Sequence, residues 1–343
     1  MKVRKAVRKK ENGISAVAAA CALVGAVAGA GFLSGRELLE FFGGFRIMPL
    51  ALSGAGFFLG FLLFLRLGAR YGGFNGVADA LFGKKTSFAL KAAALFASFA
   101  VATAMLSAFH TEFPECKPFL AATLIVAAAA FSGRGIKGLS AFSAAFTPFL
   151  ICSAVALILS RGKFSAPESV SVARDFKCSA LSVVYVCMNV LSASPVLCEL
   201  GEKLQTNKNT ARAAGLAACV LTLLAAAILS ATGYDKSCYS NPMPLESVLQ
   251  GGVFFSVISA VGMATTFAVC FYPVFRAAKE RGTCAELAVP FLFLAFSFVR
   301  FEKVVRFFYP VAGVMGGAVL VAAAVAAVRR PCAEEKRLTL IPR

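Results

Sequence analysis

Apolar residues in this chain come in long runs that neither alternate nor favour one helical face, and short polar stretches between the runs hold most of the charges and turn residues. Runs of this length are what a helix needs to cross a hydrocarbon core about 30 Å thick. Inside lipid every backbone amide and carbonyl must be bonded within its own segment, so each run is read as a helix. Apolar length and punctuation by Gly, Pro and charge place spans at 14–43, 47–67, 86–110, 118–133, 139–160, 177–200, 210–232, 247–278, 284–300 and 303–328. The expected class is an all-α integral membrane protein, a single transmembrane domain of about ten spans.

Five spans in each half would make the second half enter the membrane in the opposite sense. Residues 14–160 and 177–328 are therefore expected to form an inverted repeat, joined by RGKFSAPESVSVARDFK, with 329–343 as a short cytosolic tail. Lys and Arg near helix ends are retained in the cytoplasm. With the amino terminus inside, most of the 35 basic residues fall on inner segments, so both termini are expected to be cytoplasmic. This distribution accounts for the formal charge of +18 without a polyanionic partner. No basic stripe is interleaved with exposed aromatics, which argues against nucleic acid. The start, MKVRKAVRKK before an apolar stretch, imitates a signal peptide. Because the apolar pattern continues through Phe42, it is read as a retained span.

Composition agrees with a bilayer as solvent: 59% of residues are hydrophobic and 15% charged, against about 25% charged in soluble domains. The mean hydropathy is +0.79. Most of the eleven cysteines lie in apolar runs and read as small buried hydrophobes. Cys116 and Cys238 are the one pair that outer loops would allow to bridge. His110, the only histidine, is read as part of a solvated outer loop with Glu112 and Glu115. No H-E-x-x-H, G-x-S-x-G or phosphate-cradling G-x-x-x-x-G-K-[ST] occurs, so a catalytic role is not expected.

The segment GAVAGAGFLSGRELLEFF carries the first candidate chemistry. Gly25, Gly29, Gly31 and Gly35 interrupt one span, and Ser34, Arg36, Glu37 and Glu40 follow at once. One reading is a small-xxx-small packing surface. The other is a helix broken near Gly29 to Phe32, whose freed backbone lines a solute cavity and whose outer half aims amide groups at an anionic part of the solute. In the second half, Asn189, Ser192, Ser194 and Pro195 fall at the corresponding place, followed by Glu199, and proline favours a kink or unwinding just before Pro195; the other reading is an ordinary proline-kinked packing helix with Ser and Asn bonded to neighbouring carbonyls. Paired interruptions in two halves point to a central transport site. Gly262, Thr265 and Thr266 share one helical face. Their oxygens, facing carbonyls near Gly25 and Ala28, would suit a small cation, although Thr hydroxyls also bond back to the preceding turn.

The run GAGFLSGRELLEFF resembles the G-A-G-F-[AS]-[ST]-G-[RQ]-E…FF signature of the YkvI-like bacterial membrane proteins. Length, span layout, GRGIKG at 133–138 and Asn189 are also similar, so the resemblance covers nearly the whole chain. Leu33 departs from it, standing where a small residue is usual. That family resembles the amino acid, polyamine and organocation superfamily, whose five-plus-five fold binds solute between unwound first and sixth helices. The resemblance implies a bacterial plasma-membrane location. It implies backbone contacts to solute at Gly29, Ala30 and Gly31, with Asn189 on the facing helix and Thr265 and Thr266 as a sodium-site hydroxyl pair.

The resulting expectation is a secondary transporter of a small polar solute, amino acid-like or amine-like, working by alternating access, with sodium at Gly262, Thr265 and Thr266, a proton through Glu37 or Glu199, or no cation at all as the alternatives for coupling. Phe32, Ser34 and Ser192 join the solute site, while Arg36 and Glu37 act at the outer gate. The alternative is a membrane sensor or receptor subunit that keeps the fold without transport, as relatives in spore germinant receptors do. Oligomeric state is left open.

Overall fold

Ser15 opens the first helix by accepting a hydrogen bond from the Ala18 amide at 3.1 Å, satisfying one of the donors that every helix start leaves over. The computed structural model describes residues 14–329 apart from 114, 116, 162–163, 168–171, 205, 234–236, 238–239, 242 and 250–251. The basic start, most of the 329–343 tail and the Cys116–Cys238 pairing lie outside the described residues.

The first span is three pieces: α1 (Ala16–Val27), α2 (Ala30–Leu33) and α3 (Arg36–Phe42). Then follow α4 (Ile47–Tyr71), α5 (Gly73–Glu112), α6 (Lys117–Gly133), α7 (Gly135–Arg161), α8 (Val172–Lys203) and α9 (Asn207–Gly233). The short α10 (Pro244–Leu249) leads to α11 (Gly252–Lys279), α12 (Thr283–Phe296) and α13 (Phe301–Arg329). Helix α5 bends at Gly83, whose φ of 74° is open to glycine at little cost. Among the described residues seven helices are long and apolar enough to cross a membrane, and three shorter apolar ones are Ala16–Val27, Ala121–Gly133 and Thr283–Phe296. The chain is a multi-pass membrane protein.

The expected break in the sixth span is not there: α8 runs continuously from Val172 to Lys203 with Pro195 inside it. Proline removes the amide that would bond the Leu191 carbonyl, and the Ser194 hydroxyl supplies the missing donor at 2.7 Å. A serine beside a proline can thus keep a helix whole in an apolar setting, and the cue read as an interruption is self-repairing. His110 also differs from expectation: it lies within α5, is 9% exposed, and rests its ring 5.2 Å from that of Phe298.

Helix α8 is the centre of the bundle, packed against α4, α5 and α13. Glycines let the backbones touch. A Cβ on Gly68 would come within 2.0 Å of the Cys198 carbonyl, and one on Gly201 within 2.0 Å of the Leu65 carbonyl. From the other side Gly316 approaches the Cys187 carbonyl in the same way. With no water to exclude between helices in lipid, such close approach is a principal source of cohesion.

Candidate functional site

The interruption of the first span starts where Ala28 turns to ψ 53° and ends the α-helical ladder of α1. The Gly29 amide bonds the Val27 carbonyl at 2.8 Å instead of reaching back four residues. After the single turn of α2, Gly35 adopts φ 80°, a conformation that disfavours any side chain, and α3 begins. Ser34 stitches this second gap. Its hydroxyl donates to the Gly31 carbonyl at 3.2 Å and accepts from the Arg36 amide at 3.3 Å. Its carbonyl accepts from the Leu245 amide at 2.8 Å, so the start of α10 is tied to this second gap. On α10, burial and then the like charge of Glu112 push the Glu246 carboxyl above its ordinary range.

The carbonyls released by the break face α11. Thr266 donates across to the Gly25 carbonyl at 2.6 Å, while Thr265 bonds back to the Gly262 carbonyl at 2.9 Å. The Ala28 carbonyl lies 3.2 Å from where a Gly262 Cβ would sit. All five residues expected around a cation are therefore neighbours. Ser143 adds a buried hydroxyl with no hydrogen-bond partner among the described residues, 3.7 Å from the Cβ position of Gly25. This oxygen-only set fits a small hard cation, which prefers carbonyl and hydroxyl ligands.

Gly29 is bounded by Met105 and Thr266, Ala30 opens α2, and Phe32 is 1% exposed. Gly31 makes room for a side chain of its own segment, since a Cβ there would lie 2.0 Å from Glu37 Oε1. Glu37 is 3% exposed and folds back over the break. Tyr185 of α8 donates to its Oε2 at 3.0 Å, and Tyr309 of α13 to its Oε1 at 2.9 Å. Arg36 is turned to the other side of α3, where it pairs with Glu40 at 3.9 Å.

On α8, the Asn189 amide group donates to the Tyr185 carbonyl at 3.0 Å, and Ser192 donates to the Asn189 carbonyl at 2.9 Å. Ser98 of α5 reaches the Ser192 carbonyl at 2.8 Å. These groups form a ladder along the face of α8 leading towards Pro195. At that level a cavity of about 1050 Å³ begins, lined by Leu95, Pro195, Glu199, Tyr272 and Arg276 among others. Its rim is formed by residues 72–75, 133–135 and 279–281, connections at one end of the bundle. Glu199 accepts from Tyr272 at 2.8 Å and pairs with Arg276, tying α8 to α11 at the cavity wall.

Sequence reasoning missed Tyr185, Tyr309, Ser98 and Ser143. The tyrosines had a usable signal: there are only six in the chain, and a tyrosine inside an apolar span must find its hydroxyl a partner. Serines scattered through apolar helices carry no such signal, because most bond their own preceding turn.

No protein-family model matches the chain. Over an alignment 240 residues long, covering 64% of this chain and 67% of the other, it is 30% identical to the uncharacterised membrane protein YkvI of Bacillus subtilis (strain 168). In three dimensions 92% of the chain superposes on 76% of Mhp1, a nucleobase-cation-symport-1 family transporter solved in a closed conformation with bromovinylhydantoin bound. The TM-score is 0.56 and the identity 14%, a likeness of fold.

Proposed function

The chain belongs to the YkvI-like family of bacterial membrane proteins, and from that premise we propose that it is a secondary transporter of a small polar organic solute, amino acid-like or amine-like, working by alternating access. The observation that carries the reading is the doubly interrupted first span, packed against α11 and α8, together with a large cavity whose rim is formed by residues 72–75 and 279–281. Irregular backbone is tolerated in lipid where it serves a solute or ion site. The basic-residue distribution makes this rim cytoplasmic, so this is an inward-facing state.

The ten-segment inverted repeat is part of the proposal, and the packing supports it. Exchanging each helix with the one five spans away maps α4 against α8 onto α9 against α1. It likewise maps α13 against α8 onto α7 against α1, and α5 against α8 onto α11 against α1. Solute would bind between α2 and the Asn189–Ser192 face of α8. The oxygens of Gly25, Ala28, Gly262, Thr265 and Thr266 would seat sodium, their dipoles replacing its hydration shell.

Purified protein in liposomes, offered labelled amino acids and amines across a sodium gradient, tests the reading. Accumulation that is lost in Asn189→Ala and Gly29→Leu is expected. Binding without accumulation would instead mark a sensor, and uptake indifferent to both substitutions would refute the site.

A further inference from the structure

Among the described residues one carboxyl, that of Glu37, is deeply buried, and the solute and sodium readings leave it unused. Glu37 is 3% exposed, and the two hydroxyls bonded to it belong to side chains that are 0% and 1% exposed, Tyr185 and Tyr309. Three elements meet there: α3, the outer half of the broken span; α8, the bundle centre; and α13. The space is built for the carboxyl, because any side chain at position 31 would occupy it. Among the described residues no Lys, Arg or His nitrogen forms an ion pair with Glu37. An ionised carboxylate held in an apolar interior by two neutral hydroxyls is costly, and ionisable groups at such depth are placed for function.

We infer that Glu37, with Tyr185 and Tyr309, is a proton-binding site, and that its occupancy couples movement of the outer half of the first span to the proton gradient. Taking the proton forms an O–H bond on one carboxylate oxygen, which then donates where it had accepted. A tyrosine hydroxyl both donates and accepts, so the pair can serve either state of Glu37 by rotating their hydrogens. The titratable groups facing it are Tyr185 from α8, Tyr309 from α13 and Cys270 from α11. Helix α9 presents Ile228 and Thr232 to Gly35 at the head of α3, neither of them titratable. On α3 itself Arg36 and Glu40 pair with each other, nearer solvent. Glu37, Tyr185 and Tyr309 share no residue with the oxygen set around Gly25, so each set can be substituted without touching the other. The coupling role rests on the transporter reading; proton binding does not.

The test is infrared difference spectroscopy of the full-length protein in lipid, titrated with pH. The expected result is a carboxylic C=O band that appears and disappears reversibly, is lost in Glu37→Gln, and shifts to higher wavenumber in Tyr185→Phe and Tyr309→Phe as donors are removed. Identical titrating bands in wild type and Glu37→Gln, or a Glu37 carboxyl that never changes state, would overturn the proton site. Proteoliposomes loaded with a pH dye and offered alanine, glutamate or lysine then address coupling. Proton movement with solute that vanishes in Glu37→Gln supports it. Uptake indifferent to a pH gradient overturns coupling and leaves transport standing. Failure of every solute under every gradient strikes the transporter reading, while the infrared band still decides the proton site.

Discussion

Replacing Gly31 by alanine puts a methyl group where Glu37 lies. The added carbon would meet Oε1 at 2.0 Å, Cδ at 2.3 Å and Cγ at 2.4 Å, against about 3.5–4.0 Å for a normal carbon contact. Rotating the carboxylate alone cannot relieve a collision that reaches Cγ, so the side chain must leave and both tyrosine bonds break. Two hydroxyl bonds at about 1 kcal/mol each, with residual overpacking of at least about 1 kcal/mol, give a destabilisation of about 3 kcal/mol. In a Glu37→Ala background the colliding atoms are gone, and the same Gly31→Ala change is expected to cost less than about 1 kcal/mol. The gain in helix propensity from Gly to Ala acts in both backgrounds and cancels in the cycle. Equilibrium unfolding of the four full-length proteins in mixed micelles measures the coupling directly. If the two changes add within about 0.5 kcal/mol, the folded-back geometry of Glu37 is wrong.

Ser194→Ala strips the donor from the Leu191 carbonyl and is expected to cost about 1–3 kcal/mol; adding Pro195→Ala restores an amide donor and recovers most of it, and a double variant as unstable as the single one refutes the repair. Gly68→Ala and Gly201→Ala force the backbones of α4 and α8 apart and should lower the melting temperature sharply, whereas Gly215→Ala, whose nearest neighbour is 3.8 Å away, should not; equal effects would contradict the packing. Sodium is expected to raise the melting temperature relative to choline at equal ionic strength, since a ligand stabilises the state it binds. Thr266→Val should abolish that rise, and identical melts of the wild type in the two salts would remove the sodium seat.

How far the site could be read in advance depended on the kind of signal. The interruption in the first span was legible because Gly25, Gly29, Gly31 and Gly35 cluster within one apolar run, and glycine weakens a helix wherever it falls. The sixth span was misread because its pairing with the first span was preferred to a proline-kinked helix with its hydroxyls bonded to neighbouring carbonyls, although Ser194 and Pro195 stand side by side there. In the fold one corrects the other, and only the geometry of the Leu191 carbonyl reveals it. Helical spacing put Gly262, Thr265 and Thr266 on one face of α11. That Thr266 bonds a carbonyl 241 residues away while Thr265 bonds its own turn is beyond any local rule.

Sequence alone determined the solvent, the helical class and the approximate ends of most spans, because a bilayer demands a minimum apolar length and internally bonded backbone, and both leave marks along a chain. Tertiary structure decided which polar groups meet. Charge and spacing suggested an outer-gate role for Glu37, yet its fate was settled by Tyr185 and Tyr309, 148 and 272 residues further on. The same holds for the glycines: composition says that they are many, but whether one breaks a helix, admits a carboxyl or lets two backbones touch depends on what stands within 4 Å of it. Contacts of that reach are properties of packing, and packing is written nowhere in a single stretch of residues.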